Sequence, residues 1–275
     1  MQDLSQGALL YGIKSEKYPG SRCYGIIISA RCDIANKKIA RLYYLIALDA
    51  REWLTTQIGF SFALEQPMSN AKKQFGQKVV KRGLNVDDLL TFTPEMVEHV
   101  LKSEMKEKES IDALKDYNEY IRFCSLYRET RYELIKEKQK HVLARLKEIN
   151  SGKWEHWYYL PEVAYLKSGK KSKGLIVDLQ ELYPMAFEDA ELICEGRVDR
   201  HKLNLGLDKK TLEHFSHFCY LEEDDDYVSI DSIIASPWCE HLMQRFSNAF
   251  IRIGLDGATE KDFTELITSI QQEGV

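Results

Sequence analysis

The chain has 275 residues, 44% of them hydrophobic and 29% charged. That is long enough to bury one large core or two modest ones, and too apolar for wholesale disorder. A formal net charge of -5 excludes a globally basic nucleic-acid binder, so any contact with phosphate must come from a local patch. Six scattered cysteines without a CxxC pair exclude a zinc ribbon and a thioredoxin-like motif.

In chain order, residues 7–13 form a short apolar run, and Pro19-Gly20 marks a turn. Residues 23–29 (CYGIIIS) are a continuous, β-branched apolar run, as expected of a strand buried on both faces. Residues 33–38 are polar and turn-like. Residues 41–48 (RLYYLIAL) make a third strand, and Asp49 is placed to cap a short helix. Beyond about residue 70 the pattern changes. Thr93-Pro94-Glu95 reads as a helix start, and no proline or glycine follows until Gly152. Apolar residues at helical spacing amid dense mixed charge predict one or two long amphipathic helices, lightly buried against the rest.

Strand character returns at residues 154–160 (WEHWYYL) and again at 174–182 (GLIVDLQEL). Residues 187–194 are ambiguous. Residues 215–221 and 227–234 flank an acidic turn and suggest a hairpin. Ser236-Pro237 starts a helix with an apolar face that includes Trp238, Leu242 and Phe246, and Phe263, Leu266 and Ile270 mark a last one. The expected organisation is α+β: residues 1–70 and 154–275 build one β-rich body with C-terminal helices, and residues 71–153 form a helical insertion.

Ser29-Ala30-Arg31-Cys32-Asp33-Ile34-Ala35-Asn36 gathers a hydroxyl, a guanidinium, a thiol, a carboxylate and an amide at the end of a buried strand. A rigid strand end can hold such groups at a surface. Ordinary turn chemistry accounts for Asp33 and Asn36 equally well. The aromatic cluster around Trp157 beside Lys167, Lys170, Lys171 and Lys173 fits base stacking and phosphate binding, and fits strand packing next to a solvated loop as well. His214, His217, Cys219, Cys239 and His241 match no recognised zinc spacing, so no metal is expected. No Walker A, GxGxxG, GxSxG or HExxH motif is present, so no cofactor is expected either.

The run Gly20-Ser21-Arg22-Cys23-Tyr24-Gly25-Ile26-Ile27-Ile28-Ser29 through Asn36, followed by the strand at 41–48, resembles the core of MazF/PemK-like toxins. The resemblance extends to residues 174–182 and the terminal helix, about half the chain. It implies a small antiparallel SH3-like β-barrel, here split by the insertion, and a homodimer. It also implies metal-independent endoribonuclease chemistry in a toxin-like or phage-defence protein. Cys23 stands where the family places proline, and Asp49 stands near a usual threonine or serine. Such cleavage needs a cation at the phosphate, which Arg22 or Arg31 supplies, and a base, which Asp33 or Asp49 supplies. Ser29 completes the candidate set, and the acid is unassigned.

The other reading is a non-catalytic binding or scaffold subunit that docks a partner through residues 94–150. The N-terminal MQDLSQGALLYGI has no basic n-region and no long apolar stretch, and no window reaches membrane-span length. A cytoplasmic protein is therefore expected.

Overall fold

A computed structural model describes residues 4–161, 174–199 and 215–251, except 216 and 224. The first three strands are β1 (Ala8–Ile13), β2 (Cys23–Ile27) and β3 (Arg41–Asp49). The later ones are β4 (Trp157–Leu160), β5 (Leu175–Ala186), β6 (Val198–Asp199) and β7 (Tyr227–Ile233). They form one seven-stranded sheet in the order β4-β5-β3-β2-β1-β7-β6, with every neighbouring pair antiparallel. Strands from before and after the intervening helices thus lie in one sheet. It is an open sheet, however: β4 and β6 end it, and among the described residues they do not pair with each other.

Register shifts interrupt the pairing of β1 with β2, β1 with β7 and β3 with β5, and two of them bear on the site. Gly12, at φ +87°, marks a register shift in β1, where a Cβ would lie 2.2 Å from the Tyr227 carbonyl oxygen. Only glycine allows that approach. In β5 the pairing with β3 jumps from Leu182 to Asp178 as β3 moves from Leu45 to Ile46. The displaced Asp178 is buried, yet it accepts a hydrogen bond from the Tyr18 hydroxyl at 2.6 Å and an ion pair from Lys17 at 2.7 Å. That satisfies a carboxylate whose burial would otherwise cost several kcal/mol.

Both faces of the sheet are covered, which explains the continuous apolar runs. Leu9, Ile26, Leu45, Ala47 and Val177 share one cluster with Cys239 and Leu242 of a helix at Trp238–Ile251. Leu10, Cys23, Tyr44, Ile46 and Ile176 face the other way. Each fully buried Leu or Ile is worth about 1.5–3 kcal/mol.

The helical region begins at Ala50 rather than residue 71. After the short α1 (Arg31–Ala35) come α2 (Ala50–Thr55), α3 (Gln57–Val80), α4 (Val86–Thr91) and α5 (Pro94–Glu104). They are followed by α6 (Glu107–Phe123), α7 (Arg128–Glu137), α8 (Gln139–Asn150) and, past β5, α9 (Phe187–Cys194); Trp238–Ile251 is α10. The early start has a local cause. Asp49 accepts from the Arg51 amide at 2.9 Å and caps α2, and Thr56 accepts from Gly59 at 3.1 Å and caps α3. Pro67 lies within α3, and Leu64, three residues before it, leaves helical geometry to absorb the kink.

The expectation of one or two long helices is corrected to four between Pro94 and Asn150, broken at Met105-Lys106, at residues 124–127 and at Lys138. Light burial is corrected as well. Phe60, Leu64, Leu134, Val142 and Ile149 belong to the same core cluster as the sheet. A second core, centred on Phe75, Val97, Leu101 and Tyr117, joins α3 to α4, α5 and α6. Arg131 of α7 is buried and, among the described residues, has no acidic partner; it donates to the Thr55 carbonyl at 2.9 Å, the Ser125 carbonyl at 3.1 Å and the Gln57 side-chain oxygen. It fastens α7 to the corner between α2 and α3. Of the described residues in 215–221, Phe215, His217 and Phe218 are helical and Cys219 forms an isolated bridge to Ile13, so no first strand of a hairpin is seen among them.

Candidate functional site

Arg22 immediately precedes β2, and Asp49 ends β3. The register Tyr24 to Ala47 sets them opposite each other at one end of the sheet. Ser29, Arg31 and Asp33 follow the other end of β2, roughly 20 Å away at strand rise. The structure therefore unites Arg22 with Asp49 and separates both from the 29–36 turn. An antiparallel pair brings the start of one strand to the end of its neighbour, not to its own far end.

The turn is occupied with its own architecture. Ser29 Oγ accepts from the Tyr43 amide at 2.8 Å, and Asn36 donates to the Cys32 carbonyl at 2.6 Å. Arg31 lies 3.7 Å from Glu240 of α10, and Asp33 sits in the first turn of α1.

The Arg22–Asp49 end opens into a cavity of about 680 Å³. The sheet contributes Tyr11, Tyr24 and Asp49, with Arg22 from the approach to β2; α2 contributes Arg51 and Glu52; α7 contributes Arg128 and Tyr132; and Tyr220 and Glu223 close it from the segment before β7. Arg22 is held by the buried Asp226 at 2.6 Å and by Glu223 at 3.4 Å, and its guanidinium lies over the Tyr220 ring at 5.6 Å. Desolvation works against its charge, but Asp226, Tyr11 and Glu223 outweigh it and hold the pKa above the usual arginine value.

Burial likewise raises the Tyr11 hydroxyl, against the opposing pull of Arg22. Asp49 is engaged as the α2 cap and pairs with Arg51 Nε at 3.1 Å. Glu52 differs. Burial pushes its carboxyl pKa up, Asp49 adds to the rise, and Arg128 and Arg22 oppose it without cancelling it. Arg128 makes no ion pair within 4 Å among the described residues, so its guanidinium is available to an anion.

Glu52 and Arg51 were legible in principle, because Asp49-Ala50-Arg51-Glu52 follows directly on a buried strand. Arg128 and Tyr132 carry no local signal; they lie within a charged helical run, and only the packing of α7 brings them here. Trp157 is not a stacking platform. It is buried, 5.2 Å from Trp53 and 4.4 Å from Phe62 between ring centres, and ties β4 to α2 and α3. The aromatic alternation around it packs against the helices rather than facing solvent. Lys167, Lys170, Lys171, Lys173 and His214 lie outside the described residues. Among the described residues no cluster of metal ligands forms, and Cys219 and Cys239 are buried. None of their helices is long and apolar enough to cross a membrane.

The arrangement joins cations for phosphate, tyrosine rings for planar groups and one carboxyl tuned toward proton transfer. No family model, curated protein or solved structure matches the chain.

Proposed function

We propose that this cavity binds single-stranded RNA and cleaves it without a metal ion. The observation that supports the reading is Glu52: a carboxyl raised by burial, facing a cavity with three arginines and four tyrosines. An acidic group titrating nearer neutrality is the better proton acceptor and donor at working pH.

In the proposed step Glu52 takes the 2′-hydroxyl proton as the 2′-oxygen attacks phosphorus. The bond from phosphorus to the 5′-oxygen breaks, and the leaving oxygen takes a proton from solvent. The products are a 2′,3′-cyclic phosphate and a 5′-hydroxyl end. Arg22 and Arg128 stabilise the charge that builds on the phosphorane. Asp49 holds Arg51 and the start of α2 in place rather than acting as the base. On this reading the open sheet is the SH3-like body of the MazF/PemK resemblance, and the protein serves as a toxin-like or phage-defence effector.

The test is incubation of the purified protein with end-labelled RNA, with and without chelator. Cleavage that survives chelator, leaves cyclic-phosphate ends and falls by about 10²-fold or more in Glu52→Gln supports the reading. Intact RNA under every condition overturns it.

A second reading, a non-catalytic subunit docking a partner through residues 94–150, draws on the loop between α6 and α7. There Leu126 and Tyr127 are 81% and 76% exposed. Intact RNA together with a stable complex lost in a Leu126→Ser, Tyr127→Ser variant supports that alternative.

A further inference from the structure

A second cavity, of about 270 Å³, adjoins the first. Gly20, Glu52 and Arg128 line both, so they form the sill between them. The wall carrying Gly20 is fixed from behind, because Tyr18 donates to the buried Asp178 at 2.6 Å. A polymer lying across the sill would set its linking phosphodiester at Glu52 and Arg128, with one nucleotide in each cavity. The second cavity is built largely by the helices, from Thr55 to Ile58 and Arg131.

Most of its polar groups are already used. Lys17 is paired with Asp178 at 2.7 Å. The Thr55 hydroxyl donates to the Glu52 carbonyl at 2.8 Å, and the Thr56 hydroxyl to the Trp53 carbonyl at 2.7 Å. Beside Glu52 and Arg128 on the sill, Gln57 stands apart. Its oxygen is held by Arg131, which has no acceptor capacity of its own, so the amide cannot flip without facing donor to donor. Its NH₂ therefore lies on the side away from Arg131, where among the described residues it makes a 3.3 Å contact to Ser61 on its own helix.

We propose that this second cavity holds the nucleotide next to the scissile bond and that Gln57, oriented by Arg131, reads its base by donating to a carbonyl edge. The proposal rests on the RNA-cleaving reading of the adjoining cavity. Uracil and guanine present a carbonyl oxygen where cytosine and adenine present an amino group, so the first pair is preferred there. Specificity then resides in the helical region, while the sheet end supplies the phosphate contacts.

The experiment digests a random-sequence single-stranded RNA with the full chain and maps cut sites at single-nucleotide resolution. The wild type is expected to favour uracil or guanine on one side of the cut. Gln57→Ala is expected to flatten that preference by about five- to tenfold in relative kcat/KM, the worth of one hydrogen bond. Gln57→Glu, whose carboxylate can only accept beside Arg131, is expected to shift the preference toward adenine and cytosine. Thermal unfolding of each variant, and its total cleavage of the mixed pool, separate a reading role from a folding defect.

An unchanged cut-site profile in both Gln57 variants, with cleavage intact, overturns the assignment of Gln57 and leaves the RNA-cleaving reading standing. No cleavage by the wild type overturns both.

Discussion

Asp226 sets the position of Arg22, and replacing it by asparagine tests that link. Asp226 is 3% exposed. One carboxylate oxygen accepts from the amides of Glu222 at 2.9 Å and Glu223 at 2.7 Å; the other lies 2.6 Å from Arg22 Nη2. Asparagine keeps an oxygen for the two amides but turns an NH₂ toward the guanidinium. Converting two charge-assisted hydrogen bonds into neutral ones removes about 1 kcal/mol each. The Arg22 side chain is 42% exposed, so the screened ion pair adds no more than about 1 kcal/mol. The sum is about 2–3 kcal/mol, or a fall in Tm of roughly 3–5 °C for a chain of this length.

The assay pairs thermal unfolding with RNA binding. Asp226→Asn should lose stability and weaken binding, whereas Arg22→Ala should weaken binding with less than about 1 kcal/mol of stability lost. If Asp226→Asn melts with the wild type, or Arg22→Ala costs as much as Asp226→Asn, the partition between loop and ion pair is wrong.

Glu52→Gln should raise Tm at neutral pH. The folded-state pKa of Glu52 lies above its unfolded value, so its ionised form costs stability at high pH, and that cost disappears as pH falls through the raised value toward the ordinary carboxylate range. The difference between wild type and variant in pH-dependent melts should shrink over that window; a constant difference would refute the burial argument. Gly59→Ala should destabilise by about 3 kcal/mol or more in denaturant titrations, because a Cβ there falls 2.0 Å from the Trp53 carbonyl oxygen; a loss under about 1 kcal/mol would mean that α3 shifts freely. Arg131→Met removes three hydrogen bonds and strands the Thr55 carbonyl, with an expected cost of about 3 kcal/mol by the same measurement; wild-type stability would show that α7 is held by its apolar face alone.

Much of the sheet was legible because its strands are buried on both sides. Runs such as CYGII and RLYYLIALD carry too many β-branched and aromatic residues for surface elements. The cap at Asp49 was legible too, since capping is local chemistry. The continuation from α2 into the long α3 was obscured by Pro67, which argues against a helix unless the kink at Leu64 is known. Arg22 and Asp49 stood out in the sequence, but the turn at 29–36 stood out more, and composition alone cannot say which end of a strand faces a cavity. That depends on pairing direction. Arg128 and Tyr132 were beyond local reading, because they join Glu52 only when α7 docks, some eighty positions along the chain.

Asp49 is at once the last residue of a central strand and the cap of α2. No spare dihedral separates sheet from helix at the mouth of the cavity, so α2 has no hinge on which to swing. The part of the charged rim formed by Asp49, Arg51 and Glu52 is therefore a fixed frame. Ligand entry should be a single bimolecular phase, with an on-rate that rises linearly with ligand concentration and falls with salt, and no slow isomerisation after it. Discrimination between ligands would then appear in how long each one stays.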